Sequence, residues 1–255
     1  MNQTIKVDVS SRGIATIQLN RPERANACDQ QMLDELARQF AERGADEATR
    51  VVVLRGAGKH FCAGADLIAR AAEADAPPPA TALVSLVDVL AALDRLPKPT
   101  VAVVHGAAVG GGAGLAACCD IVLADDGAFF SVPEVRVGMA PLGVAPFLIR
   151  AMGHRNFRRY GLSGERIAAA EALRIGLAHE VVSGELIDRR LDEVTDALLH
   201  GAPGAQRELK AEMEHSAAPP VTAILTRRAA PVPRWEAREG IASFKEKRKP
   251  SWYPQ

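Results

Sequence analysis

The stretch Val109-Gly110-Gly111-Gly112-Ala113-Gly114-Leu115 constrains this chain more than any other. Three consecutive glycines at the mouth of a helix leave main-chain N–H groups without intrahelical partners. With no side chains in the way, another group can come right up to that main chain. Further on, Pro133-Glu134-Val135 follows an apolar run and places one carboxylate where it can serve such a cradle as an acid or base. Upstream, His60-Phe61-Cys62-Ala63-Gly64-Ala65-Asp66-Leu67 can supply a second N–H.

A chain of 255 residues is long enough to bury a substantial core. Its 31 basic and 31 acidic residues balance, which argues against a broad nucleic-acid footprint or an affinity for anionic membranes. No apolar run approaches membrane-spanning length, and residues 1–8 carry no apolar signal region. The four cysteines, Cys28, Cys62, Cys118 and Cys119, lack CxxC or zinc-type spacing. The expectation is therefore a cytoplasmic chain with buried thiols, no metal, no nucleic acid and no membrane.

Alternation predicts a hairpin of Ile5–Val9 and Ile14–Leu19 around a turn at Ser10–Gly13. Asp29 is the N-cap of a helix carrying Met32, Leu33, Leu36 and Phe40, which Gly44 ends. Val51–Leu54 reads as a buried strand. The Ala71–Ala80 stretch, with Pro77-Pro78-Pro79, reads as a mobile surface loop. A helix through Leu83, Val87, Leu90 and Leu93 stops at Pro97. Strands at Thr100–Val104, Ile121–Ala124 and Phe129–Ser131 flank the glycine-opened helix, which runs to Cys119. After Ser183 only helices are expected: Leu186–His200, Ala205–His215, Val221–Arg228 and Arg234–Lys249. The fold class is α/β, divided into a core at 1–183 and a helical region at 184–255.

Taken in order, Leu19-Asn20-Arg21-Pro22, Phe61–Leu67, Gly106–Gly112, Cys119-Asp120, Pro133-Glu134, Ser163–Arg166, Glu171-Ala172, Gly176-Leu177 and Ser243–Pro250 resemble the crotonase (enoyl-CoA hydratase/isomerase) family over nearly the whole chain. The resemblance implies a spiral of ββα turns with a helical trimerisation region, assembled as a trimer or a dimer of trimers. It implies an acyl-CoA substrate whose thioester carbonyl is polarised by the N–H groups of Ala65 and Gly111. No separate cofactor is implied, coenzyme A being part of the substrate. Contacts to that substrate would come from Arg24, Ala63, Asp66, Leu67, Gly110, Gly114, Met139, Phe244 and Lys247, the last two on a tail helix that in this family often reaches a neighbouring subunit. The stretches Glu134–Pro141 and Ala145–Phe147 are similar to the bacterial branch that hydrates branched glutaconyl-CoA esters.

One departure matters. Two-glutamate hydratases of this family carry a glutamate where Gly114 stands and a second in the Pro-Glu dipeptide, here Glu134. A mechanism in which two glutamates share a water does not carry over. Single-glutamate members occur among isomerases and some hydratases, so hydration of a 2-enoyl-CoA and double-bond isomerisation both stay open. A silent acyl-CoA-binding scaffold is a third reading. In either enzymatic reading, burial of Glu134 beside Phe129, Val132, Val135 and Met139 should raise its pKa. Asp66 reads as an N-cap or a functional acid, and Asp120 as the organiser of a turn. His60 reads as a loop residue and His105 as a satisfied core residue. Arg136 reads as a salt-bridge partner or as a contact to an acidic acyl group.

Overall fold

The computed structural model describes residues 3–67, 83–216 and 234–252. The Ala71–Ala80 loop and the Val221–Arg228 helix expected from sequence lie outside them. The hairpin forms as expected. β1 (Ile5–Val9) and β2 (Ile14–Leu19) pair antiparallel, with Ile5 opposite Leu19 and Val9 opposite Ala15. β2 then pairs parallel with β3 (Val51–Gly56), β3 with β4 (Thr100–Val104), β4 with β6 (Ile121–Asp125), and β6 with β9 (Glu180–Val182). A second, smaller sheet joins β5 (Ala107–Val109), β7 (Phe129–Ser131) and β8 (Ile167–Ala168), in that order.

β3 and β4 are nearly continuous Val, Ala and Leu because parallel strands are buried on both faces. Val52, Leu54, Ala102 and Val104 face the main core. Val51, Val53, Val101 and Val103 face the other way, against Ile187 and Val194. That second face is closed by α6 (Ile187–His200).

Other helices fill the main core. α1 (Gln30–Ala45) starts where expected, because the Asp29 carboxylate accepts from Met32 N–H at 2.9 Å. α2 (Leu86–Asp94) begins three residues later than the apolar pattern suggests. Ser85 and Asp88 form a reciprocal capping box that fixes its first turn. α3 (Gly111–Cys118) opens on the glycines and is buried on every side. α4 (Ala145–Ser163) is kinked at Gly153; α5 (Ala169–Arg174), α7 (Pro203–Ser216) and α8 (Arg234–Lys245) complete the described helices.

Chain order repeats a theme. β4, β5 and α3 follow one another, then β6, β7 and α4, each strand of the large sheet leading to one of the small layer and then to a helix. Cys62 extends this pattern one turn back, through a parallel bridge to Ala108 of β5. The result is a succession of ββα turns that includes the glycine-opened helix. Beyond Ser183 the described residues are helical, yet α6 is sealed to the large sheet and belongs to its packing. Among the described residues no helix is long and apolar enough to cross a membrane.

Candidate active site

The site is built where two short extended segments meet the start of α3. The first is Cys62–Asp66. Cys62 bonds toward β5, its N–H donating to Ala107 O at 3.0 Å and its carbonyl accepting from Val109 N–H at 2.9 Å. Two residues later the segment turns to a different neighbour. Gly64 O accepts from Cys28 N–H at 2.7 Å, and Asp66 N–H donates to Cys28 O at 2.9 Å. Gly64 makes this change of side possible with φ +88°, a backbone region that side chains rarely tolerate. In such a parallel bridge Ala65 is the residue facing Cys28, so its own N–H points to the opposite side.

The second segment is Gly110–Gly112. Gly110 N–H donates to Ser131 O at 2.8 Å, and Gly110 O accepts the first helical bond, from Gly114 N–H at 3.0 Å. The N–H groups of Gly111, Gly112 and Ala113 therefore lead the helix without partners inside it. The two segments touch: a β-carbon on Gly64 would lie 3.3 Å from the Gly111 nitrogen, and one on Gly111 would lie 3.7 Å from Gly64 Cα. Ala65 and Gly111 are thereby brought to one place.

Glu134 opens a short 3-10 turn, Glu134–Val137. Its carboxylate lies over Gly110, where an added β-carbon would stand 2.5 Å from Oε1. Oε2 is buried and has no hydrogen-bond partner among the described residues. Burial raises the pKa of Glu134 above the usual carboxylate value, opposed by a hydrogen bond from its own backbone N–H. This is the direction expected from the apolar residues around it in sequence. Met139 is tied to the same turn, its N–H donating to Glu134 O at 3.0 Å. From behind, α8 rests on the turn so closely that a β-carbon at Gly240 would stand 2.3 Å from the Val137 carbonyl carbon.

Gly114 faces a filled space. A β-carbon there would meet Val144 Cγ1 at 2.8 Å and Leu90 Cδ1 at 3.2 Å. Leu86 lies over Gly111 in the same way, 2.9 Å from an added β-carbon. Leu86, Leu90 and Val144 thus make an apolar wall next to the cradle. The apolar spacing of α2 signals a buried face, but nothing in it points to a site.

Of the remaining expected site residues, Ala63, Asp66 and Leu67 flank Ala65, while Arg24, Phe244 and Lys247 are exposed. The carboxylate of Asp66 pairs with Arg21 at 3.1 Å, and Leu67 is half-buried beside it. Ala63 N–H donates to Ala25 O at 2.9 Å. Arg24 is exposed on the 3-10 turn Pro22–Arg24. Phe244 and Lys247 are exposed at the end of α8, which packs on the Glu134 turn of its own chain. Asp120 is an organiser, as its position suggests: Oδ2 accepts from Thr100 N–H at 2.8 Å and from Lys210 Nζ at 2.6 Å. His60 Nδ1 accepts from Ala107 N–H at 3.2 Å, a loop role. His105 is half-buried, with Nε2 bound to Gly58 O at 2.9 Å. Arg136 donates from Nε to Ser163 O at 2.9 Å, at the C-terminal end of α4. After the larger effect of the Arg159 hydrogen bond, its positive charge also helps hold the Glu165 carboxyl below the usual carboxylate range.

Fold and site together define an α/β protein in which the leading N–H groups of a glycine-opened helix lie beside the largely buried carboxylate of Glu134. The family model described as "Enoyl-CoA hydratase/isomerase" matches residues 10–255. A Thermus thermophilus protein provisionally named as an enoyl-CoA hydratase is 34% identical over 253 residues, covering 96% of this chain and 99% of its own. The mevalonyl-coenzyme A hydratase sidH of Aspergillus fumigatus is 31% identical, covering 94% and 92%. A crystal structure of an enoyl-CoA hydratase/isomerase from Pseudoalteromonas atlantica superposes with a TM-score of 0.88 at 26% identity, covering 98% of this chain and 100% of that one. The chain belongs to the enoyl-CoA hydratase/isomerase family and has the crotonase fold.

Proposed function

We propose that this protein hydrates the double bond of a 2-enoyl-CoA thioester, with the N–H groups of Ala65 and Gly111 holding the thioester oxygen and Glu134 moving the proton. One observation carries the reading: the buried, unpartnered Oε2 of Glu134 beside the leading N–H groups of α3. As water adds, negative charge develops on the thioester oxygen. Fixed N–H donors stabilise that charge without reorganising. Glu134 takes a proton from water as the oxygen bonds to the β carbon, then delivers it to the α carbon. One carboxylate thus serves as base and as acid, and ends the cycle ionised as it began.

The wall at Gly114 favours keeping a second reading. With no second glutamate, proton transfer from one carbon to another by Glu134 alone would make the protein an enoyl-CoA isomerase. Within the hydratase reading, the acyl group we favour is a branched glutaconyl ester, on the resemblance of residues 134–147. Arg136, exposed and bonded through Nε to Ser163 O, is one candidate partner for the distal carboxylate of such an ester. The same reading has the protein acting in the cytoplasm as a trimer or dimer of trimers.

The test follows loss of the conjugated enoyl absorbance on adding purified protein to 2-enoyl-CoA esters, straight-chain and branched glutaconyl. The proposal expects turnover that falls by at least about a hundredfold in Glu134→Gln. Turnover retained in that variant would overturn it.

A further inference from the structure

We propose that Arg21 is a positioning residue that aims the Ala65 N–H at the substrate carbonyl. The proposal rests on the oxyanion reading of Ala65 given above. Arg21 sits just past β2, in the segment that turns the chain toward α1. Its side chain is 15% exposed, and its guanidinium makes three contacts at once. Nη2 lies 3.1 Å from Asp29 Oδ2 and 3.1 Å from Asp66 Oδ2. Nη1 donates to Ala27 O.

These partners lie on both sides of the bridge that orients Ala65. Asp29 and Ala27 flank Cys28; Asp66 directly follows Ala65. Three main-chain bonds join the two segments, Ala63 N–H to Ala25 O, Cys28 N–H to Gly64 O and Asp66 N–H to Cys28 O, the last at the edge nearest Asp29. Arg21 ties the two strands together at that edge through their side chains. The Asp66 side chain is only 8% exposed, so solvent screens this tie little. Asn26 braces the same region: its Oδ1 accepts from Arg21 N–H at 2.9 Å, and its Nδ2 donates to Ala57 O and His60 O at 2.8 and 2.7 Å. Asp29 also caps α1 through its other oxygen, Oδ1, so the guanidinium is anchored to a helix while it holds the Ala65 strand.

The planar fork of arginine is what this geometry needs. A lysine would keep the charge yet reach fewer of the three partners. Small displacements at a reacting centre are costly, with 1 Å worth about a hundredfold in rate. Loosening the tie should therefore weaken transition-state stabilisation more than ground-state binding.

The experiment uses the full-length protein and butanoyl-CoA labelled with carbon-13 at the thioester carbonyl. Being saturated, this ligand is neither hydrated nor isomerised. Difference infrared spectra of the bound ligand report how strongly the carbonyl is polarised. The wild type should shift the stretch to lower frequency. Arg21→Lys and Asp66→Asn should each lose most of that shift, with kcat on an enoyl-CoA down roughly ten- to a hundredfold and KM nearly unchanged. Melting curves of both variants establish the folded fraction. A full carbonyl shift in the variants, with kcat reduced only in proportion to unfolded protein, would overturn the proposal and leave Arg21 a structural clamp. No shift in the wild type would instead overturn the oxyanion reading beneath it.

Discussion

Glu134 and Gly110 are packed so that the carboxylate occupies the place a side chain at 110 would take: an added β-carbon would stand 2.5 Å from Oε1. Gly110 also has φ +53°. Gly110→Ala therefore combines backbone strain of roughly 1–3 kcal/mol, at a φ/ψ that side chains rarely adopt, with displacement of the carboxylate. We expect a folded protein with a lowered melting temperature and a kcat reduced by at least about tenfold. Thermal melts and steady-state kinetics on one preparation check both.

Because burial raises the Glu134 pKa, activity and stability should respond to pH in opposite senses. The base must be ionised, so kcat/KM should fall on acidification with a midpoint above the usual 4.5. For stability, the folded state holds this proton more tightly than the unfolded chain does. That contribution is complete below pH 4.5 and is lost as pH rises through the folded-state value. At neutral pH the ionised carboxylate thus opposes folding. Glu134→Gln should melt higher than wild type at pH 7 to 8, with the difference shrinking toward pH 4. Paired melts across that range test the sign.

Restoring a glutamate at position 114 should fail to make a two-carboxylate site. Val144 Cγ1 and Leu90 Cδ1 hold the space at 2.8 and 3.2 Å from an added β-carbon. Gly114→Glu should destabilise the protein by at least about 1–3 kcal/mol through overpacking, with the buried charge adding to the loss. Activity should fall with it. Denaturant melts and initial rates decide; a variant as stable as wild type and faster would show that the wall yields.

Asp120 separates structure from catalysis. It accepts from Thr100 N–H, from Thr100 Oγ1 and from Lys210 Nζ, joining β4 to the end of α3 and to α7. Asp120→Ala leaves these donors without their acceptor and should cost about 1.5–3 kcal/mol. The kcat of the protein that remains folded should not change. Urea titration combined with active-site-normalised rates checks this.

Much of the fold is written in local pattern. The hairpin follows from alternation, and β3, β4 and β6 follow from short β-branched runs between turn signals. β5 is different: Ala107-Ala108-Val109 has little strand character of its own and is made a strand by pairing with β7 and Cys62. The start of α2 depends on the Ser85–Asp88 capping box, and the tail helix stops at Lys245, four residues short of the apolar and charged pattern. The placement of α6 on the large sheet depends on which face of β3 and β4 is left open, which composition does not report. At the site, Glu134 and the glycine-opened helix are legible because the chemistry needs those residue types close together. The Arg21 clamp and the wall of Leu86, Leu90 and Val144 are not. Each exists only because distant segments meet, Arg21 lying 45 positions from Asp66.

The most direct measurement of the central claim is product analysis in water enriched in oxygen-18, with 2-enoyl-CoA and 3-enoyl-CoA offered to wild type and to Glu134→Gln. Hydration predicts a product from the 2-enoyl ester heavier by one water and carrying the label at the β carbon, absent with the variant. A shifted double bond at constant mass, with no label taken up, would contradict it and make this chain an isomerase.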